Sequence, residues 1–279
     1  MVVGRNSDGH AQAGFACALR RLPENAGVAD RCGYTQRIAR ELEQRLPEPS
    51  LFPDGRKGLA MALGLWSDGG FFTSGAALSM GTNDQIPEAM KKDRRAFFSH
   101  MDFAELPEKI PHFYAQFAAH AQLVDDQLAA GDAFLSGGSA GWIDILAYFN
   151  IWMARGNLAN VEQLLAPFAA LPDWERRMRA LGHGKRHEIS AQEALDIARS
   201  SEYAAPAGVR ADNPEGFATG DRVTVTPTDY GAVPVHGLLV TLDNRDIAIV
   251  RNDLRAGDVC VHFPRIGCEV AAVTNSERG

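Results

Sequence analysis

Two incompatible hydrophobic periods share this chain, and they meet at "AAPAGVRADNPEG", near residue 204. Before that point apolar residues recur at helical spacing; after it, short β-branched runs alternate with turn residues. A helix-period segment cannot lie flat in a sheet, nor a strand-period segment wind into a bundle. The chain is therefore expected to be mainly α, a bundle of six or seven helices, followed by a small antiparallel sheet or barrel.

The helical part divides further. Residues 1–34 carry neither period and offer at best a weak helix near "FACALRRL". At Thr35 an amphipathic pattern begins: Ile38, Leu42 and Leu46 form one stripe, and Pro47 and Pro49 stop it. "GLAMALGLWSDGGFF" and "WIDILAYFNIWMARG" are apolar on nearly all sides and read as central buried helices. "PHFYAQFAAHAQLVDDQLAAG" is amphipathic and ends at a capping Gly131. "SAQEALDIARSSEY" opens with Ser190 and Glu193 at capping-box spacing. The expected division is a remnant over 1–34 and a helix with its exit linker over 35–54. An all-helical domain over 55–203, a linker over 204–216 and a β domain over 217–275 follow.

Composition excludes several function classes. With 28 Lys and Arg against 35 Asp and Glu, the net charge is −7, the wrong sign for a phosphate backbone as principal partner. The basic clusters "KKDRR" and "ERRMR" read as solvated helix faces. No apolar run approaches the roughly 18–20 residues of a membrane helix. "MVVGRNSDGH" lacks a signal-like apolar region, so a cytoplasmic address is expected. The four cysteines, Cys17, Cys32, Cys260 and Cys268, are too scattered for a disulfide framework.

Few residues form chemical constellations. His183 and His187 have zinc-helix spacing, but Gly182 and Gly184 break the helix that would align them, and a loop-and-cap role is preferred. Cys260, His262 and Cys268, with His236 as a conceivable fourth ligand, could gather in the sheet; a buried cysteine beside a surface histidine is the preferred reading. "DYGAVPVHG" and "VHFPR" read equally as a binding edge or as a hairpin with an edge proline. "SGGSAG" is not a phosphate cradle.

"TQRIARELEQRLPEPSLFP" resembles the last helix and exit linker of the thioredoxin-like domain of glutathione S-transferases. "FLSGGSAGWIDILAYFNIWM" resembles the loop and central helix of their helical C-terminal domain, and "WERRMRALGHGKRHEISAQEALDIA" the closing helices of a bacterial subgroup. The resemblance covers about residues 35–203. It implies glutathione as co-substrate, a hydrophobic electrophile as its partner, a possible homodimer, and Thr35 as a γ-glutamyl contact. It also makes Asp144 a folding determinant, with Gly141 where the family has a Ser or Thr cap. Some of Trp66, Phe71, Phe72, Phe113, Phe117, Tyr148 and Trp152 would wall the electrophile pocket.

The glutathione-binding half that the family builds before this point is not readable here. Residues 1–34 show no strand–helix–strand order and no thiolate holder, and Tyr34 stands where the family has an acidic residue. Nothing around Cys17 would lower its pKa. Plausible codons for this stretch, read one nucleotide later, yield a family-like segment with a Thr-Pro, so residues 1–34 are expected to be an out-of-frame remnant. Such a segment cannot repay an ordering entropy of about 1–2 kcal/mol per residue. The expected function is a glutathione S-transferase-like protein with impaired conjugation; the alternative is a non-catalytic helical scaffold or binding module.

Overall fold

The computed structural model describes residues 30–32, 34–83, 86–98, 101–184, 188–229 and 231–273. It divides into two compact units. One spans Leu46–Arg186; the other joins the described chain up to Arg45 with the chain after residue 187.

The first unit is helical, as its apolar period requires. Lys57–Trp66 (α2), a five-residue π-helical turn Ser67–Phe71, and Phe72–Thr82 (α3) follow α1 (Thr35–Arg45), which belongs to the other unit. Then come α4 (Glu88–Phe97), α5 (Leu106–Ala129), α6 (Trp142–Asn157), α7 (Val161–Leu165) and α8 (Leu171–Ala180). Phe71, Leu78, Phe117, Ala121, Ile151 and Trp174 meet in one core from which solvent is excluded. Gly131, at φ +110, takes the left-handed conformation that ends α5.

Asp144 is the knot of this core. Fully buried, its carboxylate accepts hydrogen bonds from the backbone N–H groups of Leu135 (2.7 Å), Ser136 (3.1 Å) and Gly141 (3.1 Å). The indole N–H of Trp174 on α8 adds a fourth at 2.9 Å. The Gly141 cap has a steric reason. A Cβ there would come within 2.4 Å of Ser136 Oγ and 2.9 Å of Pro53 Cδ, so Ser136 fills the space a capping side chain would need. At the other end of α6, Arg155 grips the buried carboxylate of Glu175 with two 2.7 Å bonds. Trp174 and Glu175 are neighbours on α8, so that helix is tied to both ends of α6.

Two helices expected to be buried all round are not. On α6, Ile145, Phe149 and Trp152 are 40%, 45% and 59% exposed; on α2, Leu59 and Leu63 are 57% and 37% exposed. The i, i+4, i+7 spacing collects the first three on one face while Leu146, Asn150 and Ala154 face the core. All-round hydrophobicity here records an outward apolar stripe as well as a core face.

The second unit carries the sheet. Its strands are β1 (Asp30–Cys32), β2 (Gly208–Val209), β3 (Arg222–Pro227), β4 (Val235–Leu242), β5 (Asp246–Asp253), β6 (Gly257–Pro264) and β7 (Cys268–Ala272). They lie in the order β1-β6-β5-β4-β3-β7, with β2 beside β4. β3 to β7 pair antiparallel, whereas β1 and β2 run parallel to their neighbours. Alternation sends Val223, Val225, Leu239, Ile249, Val261 and Phe263 into one core. The opposite face is also covered at Ala248 and Cys260, 1% and 0% exposed.

α1 packs against β6 within this unit, and it alters the expected division. The Arg40 guanidinium donates to Asp246 at 2.7 Å and to the carbonyl of Arg245 at 3.1 Å, and Arg37 lies 3.4 Å from the same carboxylate. The Tyr34 ring sits 6.4 Å from Phe263. The helix expected to close a thioredoxin-like domain over 35–54 is seated on the C-terminal strands. Its most buried residue is Ala39, with Ile38 and Leu42 half-buried and Leu46 38% exposed.

A second shift concerns α9 (Ala191–Ser200), expected with the helical bundle but grouped with the sheet, where Arg199 donates to the carbonyl of Leu254 at 3.2 Å. Its capping box forms: Ser190 Oγ accepts from Glu193 N at 3.1 Å, and Glu193 accepts from Ser190 N at 2.7 Å. Asp30–Cys32 is a strand where none was expected. The expectations for residues 1–29, Cys17 included, fall outside the described residues.

Candidate functional site

The π-helical turn between α2 and α3 gathers the most chemically distinctive group in the helical unit. Its sequence, "SDGGF", places two glycines inside an otherwise helical apolar run. Gly69 takes φ −89, ψ −107, off the helical path. One extra residue per turn frees backbone carbonyls from the normal ladder, and they must find other donors. Asn150 on α6 supplies one: its side-chain N–H donates to Ser67 O at 3.2 Å, Ser67 Oγ at 3.0 Å and Leu146 O at 3.4 Å. Ser67 and Asn150 are essentially inaccessible, at 0% and 1% exposure.

His120 on α5 meets this turn. The indole N–H of Trp66 donates to His120 Nδ1 across 3.0 Å. An accepting Nδ1 fixes the neutral tautomer with its proton on Nε2. The His120 ring lies edge-on to Trp66, 5.7 Å between centroids, and 5.5 Å from Phe71. The Phe71 ring in turn packs tilted against Phe117, 5.1 Å between centroids. Gly70 lets the imidazole approach, because a Cβ there would stand 3.0 Å from His120 Nε2. Burial lowers the His120 pKa and so favours the uncharged ring. The group offers one fixed N–H donor beside three aromatic rings.

The aromatic residues singled out in the sequence fall into separate sets. Trp66, Phe71 and Phe117 join His120. Phe72 and Phe149 stack at 6.2 Å, and Trp152 lies 6.2 Å beyond Phe149 on the outward stripe. Tyr148 packs edge-on against Trp174, 5.9 Å away, and Phe113 lies against the core. His120 and Asn150 were not singled out. The one signal for them is the Gly69-Gly70 pair, which marks an interruption in a helix without saying which side chains fill it.

The remaining candidates disperse. Thr35 is the first residue of α1, half-buried, in the sheet-bearing unit. Cys260 and His262 share β6, but β7, which bears Cys268, pairs with β3 and not with β6. His236 Nδ1 is engaged with Thr224 Oγ1 at 2.8 Å. Among the described residues no group of three His, Cys, Asp or Glu side chains is placed to hold a metal ion. Burial, with the nearby Asp229 charge, pushes the Cys268 thiol up to about 12, so it is protonated at neutral pH and a poor nucleophile. His183 lies in an exposed loop between Gly182 at φ +68 and Gly184 at φ +64; His187 falls outside the described residues. No described helix is long and apolar enough to cross a membrane.

No protein-family model and no curated protein matches this chain. A solved structure does: a GST-like protein from Pseudomonas syringae, 25% identical, matches with a TM-score of 0.68 over 88% of this chain and 78% of that one. The protein therefore has a GST-like fold. The helical unit is only about half of the 279 residues, so a match over 88% extends into the sheet-bearing unit.

Proposed function

We propose that the protein is a glutathione S-transferase-like protein whose helical unit offers an apolar wall to a hydrophobic electrophile, and whose own conjugating activity is impaired. The observation that carries this reading is the likeness to a GST-like structure along most of the chain. In the reaction implied, the glutathione thiolate attacks an electrophilic carbon, forming a C–S bond as the leaving group departs. That requires a group to hold the thiolate, and residues 1–34 supply no readable one. Thr35 is the one glutathione contact the resemblance offers, and its helix is held to β5 and β6 through Arg40 and Asp246. A single hydroxyl does not position a tripeptide.

A non-catalytic binding scaffold is the second reading, favoured by the seating of α1 on the C-terminal strands. Passing the pure full-length protein over immobilised glutathione separates the two. Retention with elution by free glutathione supports the transferase reading, and flow-through with intact helical circular dichroism supports the scaffold. In either case thiol consumption in the presence of an electrophile is expected to match the uncatalysed rate.

The outward stripe bears on assembly. Ile145, Phe149 and Trp152 on α6, and Leu59 and Leu63 on α2, expose apolar side chains on two helices that pack together, and exposed apolar surface marks association sites. Self-association is the expected result, a homodimer or larger, and Trp152→Glu should reduce it without unfolding the chain because the side chain is 59% exposed. Light scattering that shows a well-behaved monomer for the unaltered protein would remove this part of the account.

A further inference from the structure

We propose that His120 is a proton-sensitive latch that holds the π-helical turn of Ser67–Phe71 against α5, and that protonation of Nδ1 releases it. Three observations converge on the ring. Its Nδ1 is the acceptor for the Trp66 indole N–H, on the residue immediately before the turn. Its face lies against Phe71, the last residue of the turn. Its Nε2 approaches Gly70, where a Cβ would stand 3.0 Å away and the ring would have to give by a few tenths of an ångström. One α5 side chain therefore touches the turn before it, within it and at its end.

A proton on Nδ1 converts the acceptor into a second donor. Two N–H groups then face each other, the Trp66 bond is lost, and a cation is confined among aromatic rings with limited access to water. Among the described residues no acidic group acts on the ring. The elements facing the ring bring few titratable groups: Lys57 alone on α2, none on α3, Asp68 in the turn itself. On α5 Glu108, Lys109, His112, Tyr114, Asp125 and Asp126 lie on other turns, and on α6 Asp144 and Tyr148 are engaged with Trp174 and Arg155 with Glu175. Burial is what displaces the titration, downward, with no charged neighbour contributing.

The turn is suited to two states. A π-helical turn holds one residue more than the α-helix around it, and its carbonyls depend on side chains such as Asn150. Losing the His120 contacts leaves it held by Asn150 of α6 and by the Phe71–Phe117 ring contact. The direction follows from linkage. A histidine whose folded pKa lies below its unfolded value of 6.5 binds fewer protons in the folded state within that window. Stability is then full above pH 6.5 and falls as pH drops towards the folded pKa, by up to about tenfold in the folded-to-unfolded ratio per pH unit, and levels below it.

The test follows the Trp66 indole N–H resonance, assigned with Trp66→Phe, and the His120 ring shifts in the full chain as pH falls. The Trp66 resonance is expected to move with the His120 titration and its proton to exchange faster in acid. His120→Asn keeps an acceptor near the Nδ1 position but cannot titrate, so denaturation of the helical unit should lose this pH dependence. Equal pH dependence in the unaltered protein and His120→Asn would overturn the latch. So would an indole resonance that stays fixed while His120 titrates, a readout that needs no variant of His120 to fold.

Discussion

Asp144→Ala is expected to lower the stability of the helical unit by about 3–5 kcal/mol, the range for groups left buried without their charged partner. The substitution strands four donors at once: the N–H groups of Leu135, Ser136 and Gly141, and the Trp174 indole. The Trp174 indole and the Gly141 N–H cannot turn to water, because both residues are buried with Asp144; Leu135 and Ser136 are half-buried. Asp144→Asn should lose nearly as much. Each carboxylate oxygen now serves two donors, and an amide must point its NH2 at one of those pairs. Chemical denaturation, with the slope against denaturant unchanged, measures the loss. A loss below about 1 kcal/mol, the net worth of a single ordinary hydrogen bond, would mean the cluster is not the folding determinant described.

Arg155→Ala is expected to cost about 3–5 kcal/mol as well, because it abandons a buried carboxylate. Glu175 is 2% exposed and takes both of its strong bonds from this guanidinium. The Arg179 contact, at 3.4 Å from a largely exposed side chain, cannot replace them. The Arg155 pKa is pushed upward, first by that hydrogen bond to Glu175, which agrees with a tight pair. Removing both charges should be milder: Arg155→Met with Glu175→Met is expected to be closer to the unaltered protein than Arg155→Ala is, since no lone charge remains buried. If the double replacement is the worse of the two, the pair contributes net stability beyond mutual neutralisation. Asp144 and Arg155 sit three turns apart on α6, yet their partners Trp174 and Glu175 are adjacent on α8, so the two losses report on one helix contact.

Much of this fold was legible because period is a local property. The switch from helical spacing to strand alternation near residue 204, the Gly131 stop of α5 and the Ser190–Glu193 cap each depend on residues within a few positions of one another. Partnership is not local. The stripe of Ile38, Leu42 and Leu46 announces that α1 packs on something, but the Arg40–Asp246 pair that seats it spans 206 positions. The same limit hid the place of α9. In α2 and α6 the failure was different: hydrophobicity on all sides does not distinguish a helix buried all round from one that keeps an apolar face outward.

The candidate site was less legible still. Trp66, Phe71 and Phe117 stood out as aromatic residues, but what unites them is His120, and nothing around "AAHAQ" sets that residue apart. Asn150 was equally silent, a polar residue in an apolar helix whose reason is a carbonyl loosened some 83 positions earlier. Asp144 was readable because its partner Gly141 is three residues away. The remaining partners, Leu135, Ser136 and above all Trp174, came only with the packing.

Measuring thiol consumption by the protein with glutathione and an electrophile tests the central claim most directly. The account predicts the uncatalysed rate at every glutathione concentration, because Thr35 is the one glutathione contact the resemblance offers and its helix is seated on the C-terminal strands. A rate that rises above the uncatalysed one and saturates with glutathione would contradict it.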